Sequence, residues 1–120
     1  MTFTIPVKPV TKKNSQRIVM SGGRRMILPS AAYKEYEQNA MLFLPKCEMI
    51  SRPVEVTALF YMPTRRRVDL TNLLEALDDV LVAGGVLADD CSEIIVSHDG
   101  SRVHYDKNNP RTEVTIKEAP

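Results

Sequence analysis

Residues 65–90 read RRRVDLTNLLEALDDVLVAGGVLADD. Leu70, Leu73, Leu74, Leu77 and Leu81 recur at helical spacing, and Gly84 with Gly85 supplies a stop. The spacing predicts a helix over 70–83 with one leucine face buried. Just upstream, residues 53–62 read PVEVTALFYM, where Val54, Val56, Ala58 and Phe60 alternate as one face of a strand. A strand leading into an amphipathic helix, with more strand-like runs on both sides, points to a single α+β domain with a mixed sheet and two principal helices.

The other elements follow from the same rules. Residues 2–10 carry Phe3, Ile5 and Val7 on one side, and Pro6 and Pro9 confine them to a short edge strand. Residues 11–17, TKKNSQR, form a polar loop. Residues 18–20 and 25–28 flank Ser21, Gly22 and Gly23 as a hairpin. Ser30 is placed to cap a helix whose apolar side holds Tyr33, Tyr36, Ala40, Phe43 and Leu44, and Pro45 ends it. Residues 93–97 and 101–105 flank Asp99-Gly100, a dipeptide that predicts a second hairpin. Residues 112–117 alternate as a last strand. In all, five to seven strands are expected.

At 120 residues the chain is one domain with room for an ordinary core. Its longest apolar runs fall far short of the ~20 residues that span a bilayer. Cys47 and Cys91 lack metal-ligand spacing and read as free thiols of a reducing compartment, so a cytoplasmic protein is expected. The net charge of +1 conceals an asymmetry: residues 1–34 hold seven Lys/Arg and no acid, while all fifteen acids lie beyond them. A basic third beside an acidic remainder suits a protein that holds phosphates with one part and metal with another.

The triple arginine, Arg65, Arg66 and Arg67, runs straight into acids. Arginine forks grip phosphate, and carboxylate oxygens ligate Mg²⁺. On a helical wheel Thr71, Glu75 and Asp78 share a flank of the leucine stripe, whereas Asn72 and Asp79 point away. Asp69 precedes the first turn, near the positive end of the helix dipole. Asp69 and Glu75 can therefore face one space, joined by Asp89 or Asp90 if the chain folds back after the helix. Asp79 reads as a solvated residue, and Asp99 as a turn residue. His98 and His104 have no zinc-like partners. No phosphate-binding glycine loop is present. Seven aromatics without tryptophan argue against a single-strand stacking platform.

Arg65-Arg66-Arg67-Val68-Asp69-Leu70-Thr71-Asn72-Leu73, followed after a helix by Gly85-Val86-Leu87-Ala88-Asp89-Asp90, resembles the RusA-type crossover-junction endodeoxyribonucleases, Holliday-junction resolvases common in prophages. The likeness extends to the polar loop after Pro9 and to the helix with Tyr33 and Tyr36. It implies a small homodimer that binds four-way DNA junctions and makes paired nicks with Mg²⁺, or with Mn²⁺. It places metal ligands at Asp69 and Asp90, with Asp89 beside the latter, and matches Asn72 to an asparagine at the helix start.

Two positions depart from the family pattern: Thr71 stands where a second Asp is usual, and Glu75 where a lysine often stands. Thr71 and Glu75 lie four apart on one helical face, so Glu75 is expected to replace the missing ligand. The catalytic set is then Asp69, Glu75 and Asp90, and the metal set adds Asp89. Lys12, Lys13, Arg17, Arg65, Arg66, Arg67 and Asn72 are the expected DNA contacts, with Lys12, Lys13 or an arginine replacing the lysine. The alternative is a branched-DNA-binding protein that cuts poorly or not at all.

Overall fold

The computed structural model describes residues 1–12, 17–28 and 31–120. Lys13 and the expected Ser30 cap lie outside them. Seven strands and two helices are described: β1 (Thr2–Ile5), β2 (Arg17–Ser21), β3 (Arg24–Leu28), α1 (Ala31–Met41), β4 (Val54–Met62), α2 (Leu70–Ala83), β5 (Ile95–Ser97), β6 (Arg102–Tyr105) and β7 (Arg111–Glu118). β2 and β3 pair antiparallel around Gly22 and Gly23, both at positive φ, as the sequence predicts.

The remaining strands make one mixed sheet in the order β1–β7–β4, and β5 and β6 share the far edge of β4. β7 runs antiparallel to both β1 and β4. β5 and β6 run parallel to β4, and α2 supplies the crossover such a pairing needs. The strict alternation of β4 buries Val54, Val56, Ala58 and Phe60 against α1 and α2. From α1 come Tyr33, Tyr36 and Ala40. From α2 come Leu73, Leu74, Ala76, Leu77, Val80 and Leu81. The single-domain α+β architecture is the expected one. Among the described residues no helix is long and apolar enough to cross a membrane. Cys47 and Cys91 are free and exposed.

Three local expectations need correction. The first helix stops at Met41, short of Phe43 and Leu44. Leu44 precedes Pro45, and a residue before proline is pushed out of helical geometry. The chain unwinds through tight bonds from Leu42 N to Asn39 O (3.2 Å) and Phe43 N to Ala40 O (3.0 Å). Phe43 ends 45% exposed rather than in the core.

The second correction concerns Asp99-Gly100, which is not a hairpin. β5 and β6 run the same way along one edge, and the pairing offset to β4 grows from Val54↔Ile95 to Leu59↔Arg102 by two residues. The extra residues form a kink whose side chains complete the ladder. Ser101 Oγ accepts from Ala58 N (3.0 Å), Thr57 Oγ1 donates to Asp99 O (2.8 Å), and a ring nitrogen of His98 meets Val56 O (2.9 Å).

The third is Asp78, placed by the wheel on the flank it shares with Thr71 and Glu75. It is buried instead, with Oδ2 2.9 Å from His98 Nε2.

The glycine stop forms as expected. Val86 N bonds Leu81 O (2.9 Å) and Gly85 N bonds Val82 O (3.1 Å), a Schellman closure with Gly85 at φ 78°. A Cβ on Gly85 would meet nothing within 4 Å. Gly85→Ala should therefore cost only its backbone strain, about 1 kcal/mol, measurable by urea unfolding. A loss above about twice that would mean that contacts, not φ, fix this glycine.

Candidate nucleic-acid interface and acidic site

β4 ends at Met62, and the chain leaves the sheet through Pro63 and Thr64 into the arginines. Arg65, Arg66 and Arg67 are all exposed. Among the described residues none of them lies in ion-pair range of a carboxylate, whereas Arg111 is held by Asp106 and Glu113 at 2.9 Å each. The three guanidiniums thus face solvent uncompensated, the state in which phosphate binding costs least. They line a groove of about 610 Å³ with Tyr105 and His104. On the other side of the loop, Arg66 and Arg67 line a smaller cleft of about 240 Å³ with Lys8 and Thr11.

Asp69 occupies the N-cap of α2 in extended geometry, yet its side chain caps no helix N–H. Its Oδ2 instead accepts from Asn72 Nδ2 at 3.3 Å. An exposed carboxylate is thereby held at the positive end of a helix, steadied by an amide one turn on. Asn72, expected to touch DNA, here positions Asp69.

At the other end of the helix the chain turns back and docks beside Ile50. Ile50 N bonds Val86 O and Ala88 N bonds Ile50 O, both 2.9 Å. Asp89 and Asp90 follow, both exposed, with Asp89 Oδ1 accepting from Asp90 N at 2.8 Å. Partial desolvation, the hydrogen bond to Asp89 and the negative charge of Asp79 hold the Asp90 carboxyl above its ordinary value.

Asp79 is thus the helix acid nearest the Asp90 side, although the wheel gave it to solvent. Lys12 explains the difference. The segment after β1 crosses toward α2, and Lys12 Nζ meets Asp79 Oδ2 at 2.7 Å. Hydrogen bonding to Asp79 raises the Lys12 ammonium above its usual value despite some desolvation, and the charges of Glu75 and Glu37 add to it. The Lys12 ammonium also lies 5.3 Å from the Tyr33 ring centroid. Glu75 is exposed.

Hard carboxylate oxygens at Asp69, Glu75, Asp89 and Asp90 have the chemistry that Mg²⁺ or Mn²⁺ prefers. Their spacing is looser than a closed cage. Among the described residues no three His, Cys, Asp or Glu side chains are close enough to hold one ion. Helix geometry accounts for part of this: Asn72, beside Asp69, and Asp79, on the Asp90 side, are seven residues or about 10 Å apart along α2. Magnesium is commonly held by one or two carboxylates, with water and substrate phosphate completing the shell, so the donors present still fit it.

Sequence reasoning missed Asp79 and the His98–Asp78 contact. The spacing of Asn72, Ala76 and Asp79 was a usable signal, since i, i+4 and i+7 form one line on a helix. Arg17 lies in β2; Lys12 is committed to Asp79.

Compared with protein-family models, the chain matches the family described as endodeoxyribonuclease RusA over residues 6–117. A search of curated proteins gives no significant match. The family match spans nearly the whole chain, and the chain belongs to the RusA endodeoxyribonuclease family.

Proposed function

We propose that this RusA-family protein resolves four-way DNA junctions by paired phosphodiester nicks, using Mg²⁺ or Mn²⁺ and acting as a homodimer in recombination and repair within the cytoplasm. The observation that carries the reading is the uncompensated arginine loop running directly into the exposed, asparagine-steadied Asp69. One side of that junction suits the DNA backbone, and the other suits a hard cation beside the scissile phosphate.

The division of labour follows from the charges. Arg65, Arg66 and Arg67 hold the backbone, with Arg17 and Lys13 as further cations of the basic third. Asp69 and Asp90 are the proposed metal ligands, with Asp89 and Glu75 completing the set. Bound there, the ion would lower the pKa of a water and stabilise the leaving oxygen. Asn72 keeps the Asp69 carboxylate turned outward, and Lys12 balances the charge of Asp79 within the acidic patch. Paired nicks require two such sites, which a second copy supplies. A mass measurement in solution should give twice the monomer mass; a monomer at working concentration would overturn this part.

A synthetic four-way junction tests the activity. Paired nicks should appear with Mg²⁺ or Mn²⁺ and vanish in chelator. The open spacing of the acids favours a second reading, a junction-binding protein that cuts poorly or not at all. Binding without any nicking in either metal would establish it.

The arginines make a separate prediction. Phosphate contacts release counterions, so log K falls with log salt by about 0.9 per contact. The Arg66→Ala/Arg67→Ala pair should reduce the slope by about 2 and weaken all branched DNAs alike. A slope within 0.5 of the parent's, a margin of roughly half a phosphate contact, would remove the loop from the DNA interface.

A further inference from the structure

β6 is the open edge of the sheet, pairing only with β4 among the described strands, and all four of its side chains are exposed. Its last residue, Tyr105, is 40% exposed and carries the Arg65 guanidinium 4.3 Å from its ring centroid. One position back, His104 stacks on Tyr61 with centroids 5.0 Å apart. Tyr61 is itself held by Arg111, 3.8 Å from its ring and fixed by Asp106 and Glu113. Rings therefore gather at one corner of the sheet, where His104, Tyr61 and Tyr105 all line the arginine groove.

That corner is the wall of the arginine groove. The groove, about 610 Å³, lies within the range of small-ligand sites, about 300–1,000 Å³. Val68 lines it and is joined directly to Asp69. Phosphate alone needs only the guanidiniums, and a fully stacked duplex offers no base face to a side chain. Rings beside arginines that no carboxylate neutralises among the described residues, one of them already packed on Tyr105, match a ligand with one planar face and one anionic group. An unstacked nucleotide has both.

We propose that this groove seats one unpaired nucleotide of the DNA strand at the branch point, its base against Tyr105 and its phosphate on Arg65, Arg66 and Arg67. The inference rests on the junction-binding reading and adds a base-contacting site to it. Docking there places the neighbouring phosphodiester beside Asp69, so the site selects strands that have opened. It needs one ring at the groove edge and not the multi-ring platform for single strands that seven aromatics argue against.

The test compares three versions of one four-way junction, in chelator so that nothing is cut. One is fully paired, one has two unpaired thymines at the branch, and one has abasic sugars in their place. The parent should bind the thymine junction about tenfold tighter than the abasic one, which has the same charge but no base to stack. Tyr105→Ala should erase that preference, and Tyr105→Phe should keep it. Arg65→Ala, on a loop outside the sheet, should weaken the thymine and abasic junctions alike, because both carry the phosphate that Arg65 holds. Equal affinity of the parent for thymine and abasic junctions overturns the proposal while leaving junction binding intact. A Tyr105→Ala protein that keeps the preference overturns it as well. If the parent binds none of the three, the junction reading itself falls and takes this site with it.

Discussion

Exchanging both Asp69 and Asp90 for asparagine should lower nicking of a four-way junction by well over 100-fold while junction binding stays equal or tightens. Outer-shell partners of metal ligands cost about 10–100-fold when lost, and a ligand itself costs more. Asparagine keeps the shape and removes the charge that a divalent cation needs. Binding should survive because the arginines, not the acids, are the proposed backbone contacts, and removing two negative charges beside them lowers repulsion of phosphate. The single variants rank the site. Asp69→Asn keeps an amide oxygen that can still accept from Asn72 Nδ2, so its loss should report the charge and not the orienting contact. Glu75→Gln, one turn before Asp79 and near enough to Lys12 for its charge to act there, should fall by at least about tenfold if Glu75 is a ligand, the lower end of losses seen even for outer-shell partners. Full activity in Glu75→Gln would remove it and leave Asp79 as the helix acid to examine. A double variant that still nicks at the parent's rate would discard the whole acid assignment.

What was legible in the sequence was local. The alternation of Val54, Val56, Ala58 and Phe60 fixes the face of β4, and the leucine spacing fixes the buried side of α2. Gly85 ends α2 because its backbone conformation is intrinsically open to glycine. The errors arose where a distant segment decides. Asp99-Gly100 has hairpin chemistry, but the unpaired edge of β4 draws the chain onward, and Ser101 and His98 satisfy that edge. Asp79 looks solvated on an isolated wheel, yet Lys12 reaches it across sixty-seven residues. The candidate acids were legible by type. Their separation was not, because it depends on where the return after Gly85 docks against Ile50. The Tyr105 corner was hidden for the same reason: its parts lie on two strands and a loop.

His98 makes the largest stability prediction. One ring nitrogen lies 2.9 Å from Val56 O and the other 2.9 Å from Asp78 Oδ2, so both face acceptors. A neutral imidazole has one N–H and would aim a lone pair at one of them. Only the imidazolium satisfies both, and accordingly hydrogen bonding to Asp78 raises the His98 pKa above 6.5 against the opposing pull of burial. Because the folded value exceeds the unfolded one, the pair's contribution is fully present below about pH 6.5 and is lost as pH rises through the folded value. The parent's Tm should therefore decline across the neutral-to-alkaline range. In His98→Ala that component of the decline should be absent and stability lower throughout. Removing one partner strands a buried carboxylate, whose Oδ1 already has no hydrogen-bond partner among the described residues. The expected loss is about 3 kcal/mol, or roughly 10 °C for a domain of this size. An Asp78→Leu/His98→Leu protein should recover part of that loss, since no charge is then left unpaired. The pair fastens the middle of α2 to the kinked edge that leads into β6, so it also sets the helix bearing Asp69 against the strand bearing Tyr105. A His98→Ala protein within 1 kcal/mol of the parent at pH 6 would show that packing of the leucine face alone holds α2 in place, because a stranded buried charge should cost about 3.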